Sequence, residues 1–258
     1  MIEIPQTQFH LLTPFFNKST PNLPMVLSIL EGQNPGRAWV DKPENPTTCL
    51  VITNGTYSFI GKTTETIQTH MLEIIELLKS NKPIKLIWTP SDPYTSLFIN
   101  AGFTPQDRIQ FNNPAIAKGD TTLIDTLCKS LPKDCKIKSI DENTLKKSHW
   151  LSYINLFYGN EDNFIKKGYG LALIKNNEII SEAYACFIGG GQVETGSVTS
   201  EKERGKGYAT LVRAFLIKES MLRNLEPITS CSVENIASAK ASDKLGFKKE
   251  INYQFLML

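Results

Sequence analysis

Apolar and polar positions follow the same succession twice along the chain. The first half has short β-rich runs, and these are residues 37–41, 48–53, 56–60, 82–89 and 108–111. Between them, residues 64–79 place apolar side chains at helical spacing, and a shorter helix ends at Ala101-Gly102-Phe103. The pattern predicts a sheet with helices packed on it.

The second half repeats this order. Its predicted strands are residues 135–140, 170–174, 178–188, 192–199 and 228–233, and residues 255–258 close the sheet. Its predicted helices are residues 141–158, 208–224 and a segment from about Asn235 to Leu245. We interpret the chain as an α/β (α+β) protein with two tandem copies of one fold, residues 1–125 and 126–258. Each copy is a mixed, mostly antiparallel sheet flanked by helices. An unrelated α/β domain is the alternative for the first copy.

Three local patterns leave alternatives open. Residues 25–30 are too few to distinguish a helix from a strand. Helical spacing favours core packing for a group of aromatic residues that could also stack on a substrate, and these are Trp150, Tyr153, Phe157 and Tyr158. The acidic segment 159–162 is either a solvated turn or a region that attracts a cationic amine.

The predicted helix 208–224 has an apolar stripe and a polar face. Its expected buried residues are Leu211, Val212, Phe215, Leu216 and Leu222. Its expected exposed cations are Arg213, Lys218 and Arg223. We interpret the cations as a solvated face.

The segment Arg204-Gly205-Lys206-Gly207-Tyr208-Ala209 lies between a predicted strand and this helix. A helix that begins there presents main-chain N–H groups without intrahelical partners, and its dipole adds positive potential. Because the glycines leave the backbone uncovered and Arg204 and Lys206 add charge, the pattern indicates a site for a phosphate ester. The chain has no glycine followed by four residues and Gly-Lys-Ser/Thr, so a Walker A loop is excluded. A dinucleotide fingerprint does not fit, because Thr210 stands where the third small residue belongs. A turn that only caps the helix remains the alternative.

Composition narrows the class of protein. The 28 lysines and arginines nearly balance 26 aspartates and glutamates, so the net charge of +2 gives no basic footprint for nucleic acid. The five cysteines have no C-x-x-C spacing, which indicates neither a disulfide framework nor a metal site. The sequence shows no signal peptide and no long apolar run. We expect a soluble cytoplasmic protein with no metal, nucleic-acid or membrane partner.

Two motifs in sequence order resemble one enzyme family. Residues 204–209 fit the pattern Arg/Gln-x-x-Gly-x-Gly/Ala, and residues 231–247 resemble a strand, an asparagine at a helix start and a closing Leu-Gly-Phe. Both are similar to the GNAT superfamily of acetyl-CoA-dependent N-acetyltransferases. Residues 193–199 and 235–238 resemble the branch that includes zwittermicin-resistance-type acetyltransferases. The resemblance is strongest over residues 135–258, and it implies that both copies are GNAT-like.

The resemblance implies roles for particular residues. The pyrophosphate of acetyl-CoA, the co-substrate, would bind at Arg204, Gly205, Lys206, Gly207, Tyr208 and Ala209. The main chain of Val198 and Thr199 would bind the pantetheine arm as an added strand, and Asn235 and Ser238 would reach it or cap the last helix. Glu194 is the expected general base, unless it only pairs with a neighbouring cation. Many relatives have Tyr where this chain has Ser242, so the general acid is left open between water, Tyr184 and Tyr208.

Together these features predict an acyltransferase that moves an acetyl group from acetyl-CoA to a primary amine. We expect a small-molecule acceptor and direct attack in a ternary complex, since no paired nucleophile and base stand out. The alternative is a non-catalytic protein that binds acyl-CoA as a sensor or scaffold. The first copy lacks the phosphate loop, so it is expected to be degenerate.

Overall fold

Twelve strands form one continuous sheet in the computed structural model, which describes residues 1–54, 56–62, 68–81 and 83–258. The strands are β1 (Ile2–Ile4), β2 (Gly36–Val40), β3 (Thr48–Thr53), β4 (Tyr57–Lys62), β5 (Lys85–Trp88), β6 (Thr104–Asn112), β7 (Cys135–Ser139), β8 (Gly170–Lys175), β9 (Glu178–Gly189), β10 (Gln192–Thr199), β11 (Glu226–Ser232) and β12 (Lys248–Met257). Their order across the sheet is β1-β2-β3-β4-β5-β12-β6-β11-β10-β9-β8-β7.

Helices flank this sheet. They are α1 (Leu23–Leu30), α2 (Gln68–Ser80), α3 (Thr95–Asn100), α4 (Pro114–Ala117), α5 (Thr122–Lys129), α6 (Glu142–Leu145), α7 (Leu151–Tyr158), α8 (Glu161–Lys167), α9 (Tyr208–Leu222) and α10 (Ile236–Lys244). In the part of the chain that the structure describes, none of them has both the length and the apolar character needed to cross a membrane.

The two halves of the chain exchange their last strands. β6 of the first half pairs antiparallel with β11 of the second half. β12, at the end of the second half, lies between β5 and β6 and is antiparallel to both. Each half therefore completes its sheet with a strand of the other, and separating the halves would expose unpaired strand edges. The division into residues 1–125 and 126–258 stays a prediction, and strand pairing runs across it.

Both halves contain a parallel strand pair that separates towards its carboxyl end. β4 pairs with β5 only at Tyr57 and Ser58. β10 pairs with β11 only from Gln192 to Glu194. This shared feature shows that the second half repeats the topology of the first.

The opening in the first half is partly occupied by the chain itself. Lys62 at the end of β4 forms an ion pair with Asp92, which follows β5, at 2.6 Å. Phe15 is the last residue of a 3-10 helix, Gln6–Phe15, and it packs on Gly61. A Cβ added to Gly61 would lie only 2.6 Å from the Cβ of Phe15. The first copy therefore has the same strand arrangement, and Phe15, Lys62 and Asp92 line the pocket that remains between β4 and β5.

Several helices differ from the sequence-based expectation. Residues 25–30 lie in α1, which settles the open choice as a helix. The predicted helix 64–79 is described only from Gln68, and its beginning lies outside the described residues. The segment 159–162 leads into α8, a helix that the periodicity missed because only Phe164 of its residues is buried. Asn160 begins α8 by accepting a hydrogen bond from the Asn163 N–H at 2.8 Å.

Helix α9 corrects two predicted positions. Arg213 is only 2% exposed, whereas it was expected on the polar face, and Leu222, expected to be buried, is 74% exposed. Arg213 donates to the hydroxyl of Ser242 at 3.2 Å and lies near the ring of Phe247. Helical periodicity identifies one buried stripe, but α5 and α10 also pack on α9 and bury a second side. Leu222 is the last residue of the helix.

Helix α1 holds the first half against the second. Gly189 at the end of β9 allows this close approach, since a Cβ there would lie 2.4 Å from the main-chain nitrogen of Ser28. The Gly190 N–H donates to the carboxylate of Glu31 at 2.8 Å. One hydrophobic cluster includes Leu27 of α1 and Phe187 of β9, so a single core spans both halves.

Replacing Leu256 with alanine tests the dependence of both halves on β12. Leu256 is fully buried and lies between Leu86 and Pro105 of the neighbouring strands. We expect the free energy of unfolding to fall by about 2–5 kcal/mol, because the lost side chain leaves a cavity. Urea denaturation is followed by circular dichroism and tryptophan fluorescence, and both signals should report one shared transition.

The matched control is Asn252→Ala on the exposed part of the same strand, which should change stability by less than about 0.5 kcal/mol. Two separate transitions in the wild type would show that the halves unfold independently. That result would contradict the structural role of the exchanged strands.

Candidate active site

The opening between β10 and β11 is the centre of the second half. At the point of separation, the Thr195 hydroxyl donates to the Ile228 carbonyl at 3.1 Å. The Thr229 hydroxyl donates to the Thr195 carbonyl at 3.3 Å. Both strands are described throughout, and beyond these bonds no ladder pairing joins them. β10 therefore leaves one main-chain edge open towards its carboxyl end.

Strand alternation decides which main-chain groups face this edge. The Ser200 N–H donates to the Ile180 carbonyl at 3.0 Å, so the main chain of Ser200 faces the β9 side. By alternation Val198 also faces β9, and its carbonyl accepts a hydrogen bond from the Ser181 hydroxyl at 3.1 Å. The main chain of Thr199 faces the opening. A ligand that adds as a strand would therefore meet Thr199, and the predicted main-chain contact with Val198 is not supported by this geometry.

β10 continues into the glycine loop that was predicted to bind phosphate. Gly205 and Gly207 have φ angles of +80° and +83°, which favour glycine, and a Cβ on either would meet no described atom within 4 Å. Arg204 is 3.6 Å from Glu201 and Lys206 is 3.0 Å from Glu203, in ion pairs on the surface. Such exposed ion pairs contribute little stability, so both cations are available to bind a phosphate group.

Helix α9 begins directly after this loop. Gly207 is its N-cap and Tyr208 its first residue, and within the described chain no side chain caps it and no acidic residue lies in its first turn. The N–H groups around Ala209 are therefore left for an anion at the positive end of the helix dipole. The loop, the two cations and the uncapped helix fit a diphosphate group.

β11 leads into α10 at the same edge of the sheet. Asn235 is the N-cap of α10, and its Oδ1 accepts a hydrogen bond from the Ser238 N–H at 3.1 Å. The Ser238 side chain in turn interacts with the Cys231 thiol. Since the carboxyl ends of parallel strands lie at one edge, Asn235 and the loop 204–209 flank the same opening. The capping role of Asn235 is confirmed, and contact of either residue with a cofactor stays a prediction.

Glu194 lies at the vertex of the opening. Val193 packs under α9, so Glu194 projects from the opposite face of the sheet. It is 8% exposed, and its Oε1 accepts a hydrogen bond from the Ser230 hydroxyl at 2.6 Å. Its Oε2 has no hydrogen-bond partner among the described residues.

The surroundings of Glu194 favour its neutral form. Burial raises the pKa of the Glu194 carboxyl, and the hydrogen bond from Ser230 and the charge of Arg108 offset part of this rise. Glu194 forms no ion pair with Arg108, so the alternative of a simple pairing with a neighbouring cation is not what the geometry shows. A buried carboxyl with one free oxygen beside a cleft is suited to accept a proton.

Residues from the first half and from the last strand complete this site. Arg108 on β6 donates through Nε to the Tyr253 hydroxyl on β12 at 3.0 Å, and its Nη2 is 3.5 Å from the Ser230 hydroxyl. Tyr57 on β4 packs against Phe187, with ring centroids 6.2 Å apart. Burial and the charge of Glu194 raise the pKa of Tyr57.

Sequence reasoning missed Arg108, Tyr253 and Tyr57 because their positions beside Glu194 depend on the exchanged strands. The available signal was weak, and it consisted of an arginine at the start of a predicted strand in which Ile109 and Phe111 are apolar. No local motif includes any of the three.

The aromatic residues of the α7 region divide between core and cleft. Phe157 and Tyr158 are buried, as expected for core residues. Trp150 packs over Gly196 of β10, where a Cβ would lie 2.5 Å from the ring, and the half-exposed Tyr153 lies 5.6 Å from Trp150 between ring centroids. Trp150 and Tyr153 therefore form an aromatic wall beside the opening.

Two groups considered as proton donors are engaged elsewhere. Ser242 is 1% exposed, and its hydroxyl donates to the Ser238 carbonyl and accepts from Arg213. The Tyr184 hydroxyl donates to the carboxylate of Glu182, and the ring is buried. The general acid is therefore not Ser242, and Tyr184 has a structural partner.

Comparison with solved structures identifies the fold. The GCN5-related N-acetyltransferase-like protein from Streptococcus suis 89/1591 has a TM-score of 0.75 at 20% identity, with 97% of this chain and 98% of that chain covered. A tandem GNAT protein from the clavulanic acid biosynthesis pathway has a TM-score of 0.63 at 9% identity, covering 100% of this chain and 97% of its own. The prediction of two tandem GNAT-like copies flanked by helices is confirmed, and the structure shows that their strands form one continuous sheet.

Sequence comparison identifies the family. The uncharacterized N-acetyltransferase YdfB of Bacillus subtilis (strain 168) is 28% identical over 250 residues, which cover 94% of this chain and 92% of YdfB. The family model described as GNAT acetyltransferase matches residues 13–256, so it includes both halves and all the site residues named above. The chain therefore belongs to the GNAT acetyltransferase family and is an acyltransferase.

Proposed function

We propose that the chain transfers an acetyl group from acetyl-CoA to a primary amine of a small molecule at the opening between β10 and β11. One observation carries the proposal. Glu194 has a raised pKa and an unpartnered oxygen, and it lies at the vertex of two parallel strands that end at an open glycine loop and an uncapped helix. A turn that only capped α9 would not need a buried carboxyl between two separated strands beside it.

The residues of the opening fit acetyl-CoA, which would supply an acetyl thioester. Its diphosphate would bind the N–H groups of the loop, assisted by Arg204 and Lys206. Thr199 would offer its main chain to the pantetheine arm, while Asn235 and Ser238 lie on the α10 side. The open space around Gly205 and Gly207 supports this assignment, since a Cβ there would cover the backbone.

Glu194 acts as the general base in this proposal. An alkylammonium is protonated near neutral pH, and its nitrogen cannot attack a carbonyl until the proton leaves. Oε2 accepts this proton directly or through a water molecule, while Ser230 holds Oε1 and fixes the carboxyl group. The raised pKa brings the base closer to the pH at which it works. The amine then attacks directly in a ternary complex, without an acyl-enzyme intermediate.

Finer assignments rest on the sequence motifs. The branch of zwittermicin-resistance-type acetyltransferases is proposed from residues 193–199 and 235–238. All five cysteines are free thiols, which supports a reducing compartment and hence a cytoplasmic location.

Glu194→Gln tests the base by its effect on turnover. We expect kcat to fall by about 100- to 10,000-fold, because the amide cannot accept the proton. The wild-type rate should rise with pH through the raised pKa of Glu194, and the variant should lack this limb. Release of free thiol from acetyl-CoA with a panel of amines measures both kcat and its dependence on pH. Glu226→Gln, a half-buried carboxylate on β11 that pairs with Gln192, is the matched control and should keep wild-type turnover.

The same variant should be more stable than the wild type at neutral pH. The folded-state pKa of Glu194 lies above the ordinary value of 4.5, so the native protein holds a proton that the unfolded chain releases. Stability therefore falls as the pH rises from about 4.5 through the raised value. Urea denaturation at several pH values should show that the gain from Glu194→Gln disappears at low pH. A variant that loses stability at neutral pH would contradict the assigned surroundings of Glu194.

Gly205→Ala tests the phosphate site. We expect the affinity for acetyl-CoA to fall about 10-fold or more, because the methyl group obstructs hydrogen bonds to a charged group. The control is Gly191→Ala, which has a similar φ of +73° and no described atom within 4 Å of its Cβ, but lies before β10. Both variants should lose about 1–2 kcal/mol of stability from backbone strain. Equal acetyl-CoA affinity in the two variants, measured by calorimetry, would refute the site.

A further inference from the structure

Two cations face the same cleft as Glu194. The guanidinium carbon of Arg108 lies 4.1 Å from the centroid of the Phe255 ring, and the ammonium nitrogen of Lys85 lies 5.9 Å from it. Residues that are opposite in neighbouring strands project from one face of a sheet. The register pairs Tyr57 with Lys85 and Tyr253 with Arg108. On β11, Arg108 is opposite Ser232 and Glu194 is opposite Ile228, and by alternation these two positions lie on one face of the sheet.

Neither cation has an acidic partner. The ion pairs within residues 1–54, 56–62, 68–81 and 83–258 involve neither Arg108 nor Lys85. Arg108 interacts with hydroxyls and a ring, and Lys85 with the rings of Tyr57 and Phe255. Both side chains are half-buried. Burial lowers the pKa of Lys85, and the charge of Arg108 lowers it further. An anion in the cleft would offset this cost.

The distance between Arg108 and the proposed base limits what can bind both. The Ser230 hydroxyl oxygen lies 2.6 Å from Glu194 Oε1 and 3.5 Å from Arg108 Nη2. Those two atoms are therefore at most about 6 Å apart, with the Ser230 hydroxyl between them, so a molecule that bonds to both the Glu194 carboxyl and Arg108 has to be short. An amino group at Glu194 with a carboxylate one or two carbons away would place the carboxylate within reach of the guanidinium.

We propose that the acceptor is an amino-acid-like amine whose carboxylate is bound by Arg108, with Lys85 supplying a second positive charge. This inference rests on the proposed acetyl transfer and names the class of its acceptor. The carboxylate would complete the hydrogen bonding of Arg108, and the aromatic wall of Trp150 and Tyr153 would be left for the rest of the acceptor. A role of Arg108 limited to holding Tyr253 would give no dependence on the charge of the acceptor.

Matched pairs of acceptors test the proposal. Each pair is a free amino acid and its carboxamide, which share a side chain and an amino group but differ in the negative charge. We expect wild-type kcat/KM to favour the free acid by about 10- to 100-fold, the effect of one hydrogen bond to a charged group. Arg108→Met should bring this ratio close to one, mainly through KM. Lys85→Met should reduce the preference for the free acid several-fold, because the variant loses one positive charge but keeps the guanidinium of Arg108.

The control variant is Lys249→Met, an exposed lysine on β12, which should keep the wild-type ratio. If Arg108→Met does not fold, Arg108→Lys and Lys85→Met provide the comparison, since the lysine keeps the charge and loses the two-pronged geometry. Both variants should then show a reduced preference for the free acid. A wild-type ratio near one, or a ratio unchanged in every folded variant, overturns the inference.

Binding separates this inference from the proposed function. The same pairs are titrated by calorimetry into the protein saturated with coenzyme A, so no turnover is needed. Preferential binding of the free acid that is lost in Arg108→Met supports the carboxylate site even if acetyl transfer fails. Turnover of amines without any preference for the free acid contradicts the carboxylate site alone and leaves the acetyltransferase in place. Failure of turnover and of acid-selective binding together overturns both proposals.

Discussion

Exchange of β6 and β12 between the two halves is the constraint on which the rest of the structure depends. The antiparallel pairing of these strands places Arg108 opposite Tyr253, and the pairing of β6 with β11 brings both beside Ser230 and Glu194. A single GNAT-like copy would have no Arg108 at this position. The first half is therefore structural support and also a source of side chains for the cleft of the second half.

The two openings show how one topology was used in two ways. In the first half, the ion pair of Lys62 with Asp92 bridges β4 and the residues after β5, and Phe15 packs on Gly61, so the opening is partly occupied. In the second half, Thr195 and Thr229 bond the strands at the vertex, and no ladder pairing joins these two described strands beyond it.

Three ionisable groups in the cleft lack a counterion within the described chain, at a cost in stability. The buried carboxyl of Glu194 has one hydrogen-bond donor for its two oxygens, and Arg108 and Lys85 share a ring without a counterion among the described residues. Each group would be more stable in water or in an ion pair. The continuous sheet and the core that joins α1 to β9 hold these groups in place despite that cost.

Local pattern determined the elements of the fold and the motif-bearing part of the site. Strand β10, the loop from Arg204 to Ala209, the cap at Asn235 and the proposed base Glu194 could be identified from sequence because each depends on neighbours in sequence. Tertiary structure alone decided the burial of Arg213, the orientation of Val198 and the placement of Arg108 and Tyr57 in the cleft. The position of Arg108 depends on pairing with strands more than a hundred residues away, and the burial of Arg213 depends on the packing of α5 and α10 on α9. Periodicity does not encode such contacts, since it reports which face of an element is buried but not which partner covers it.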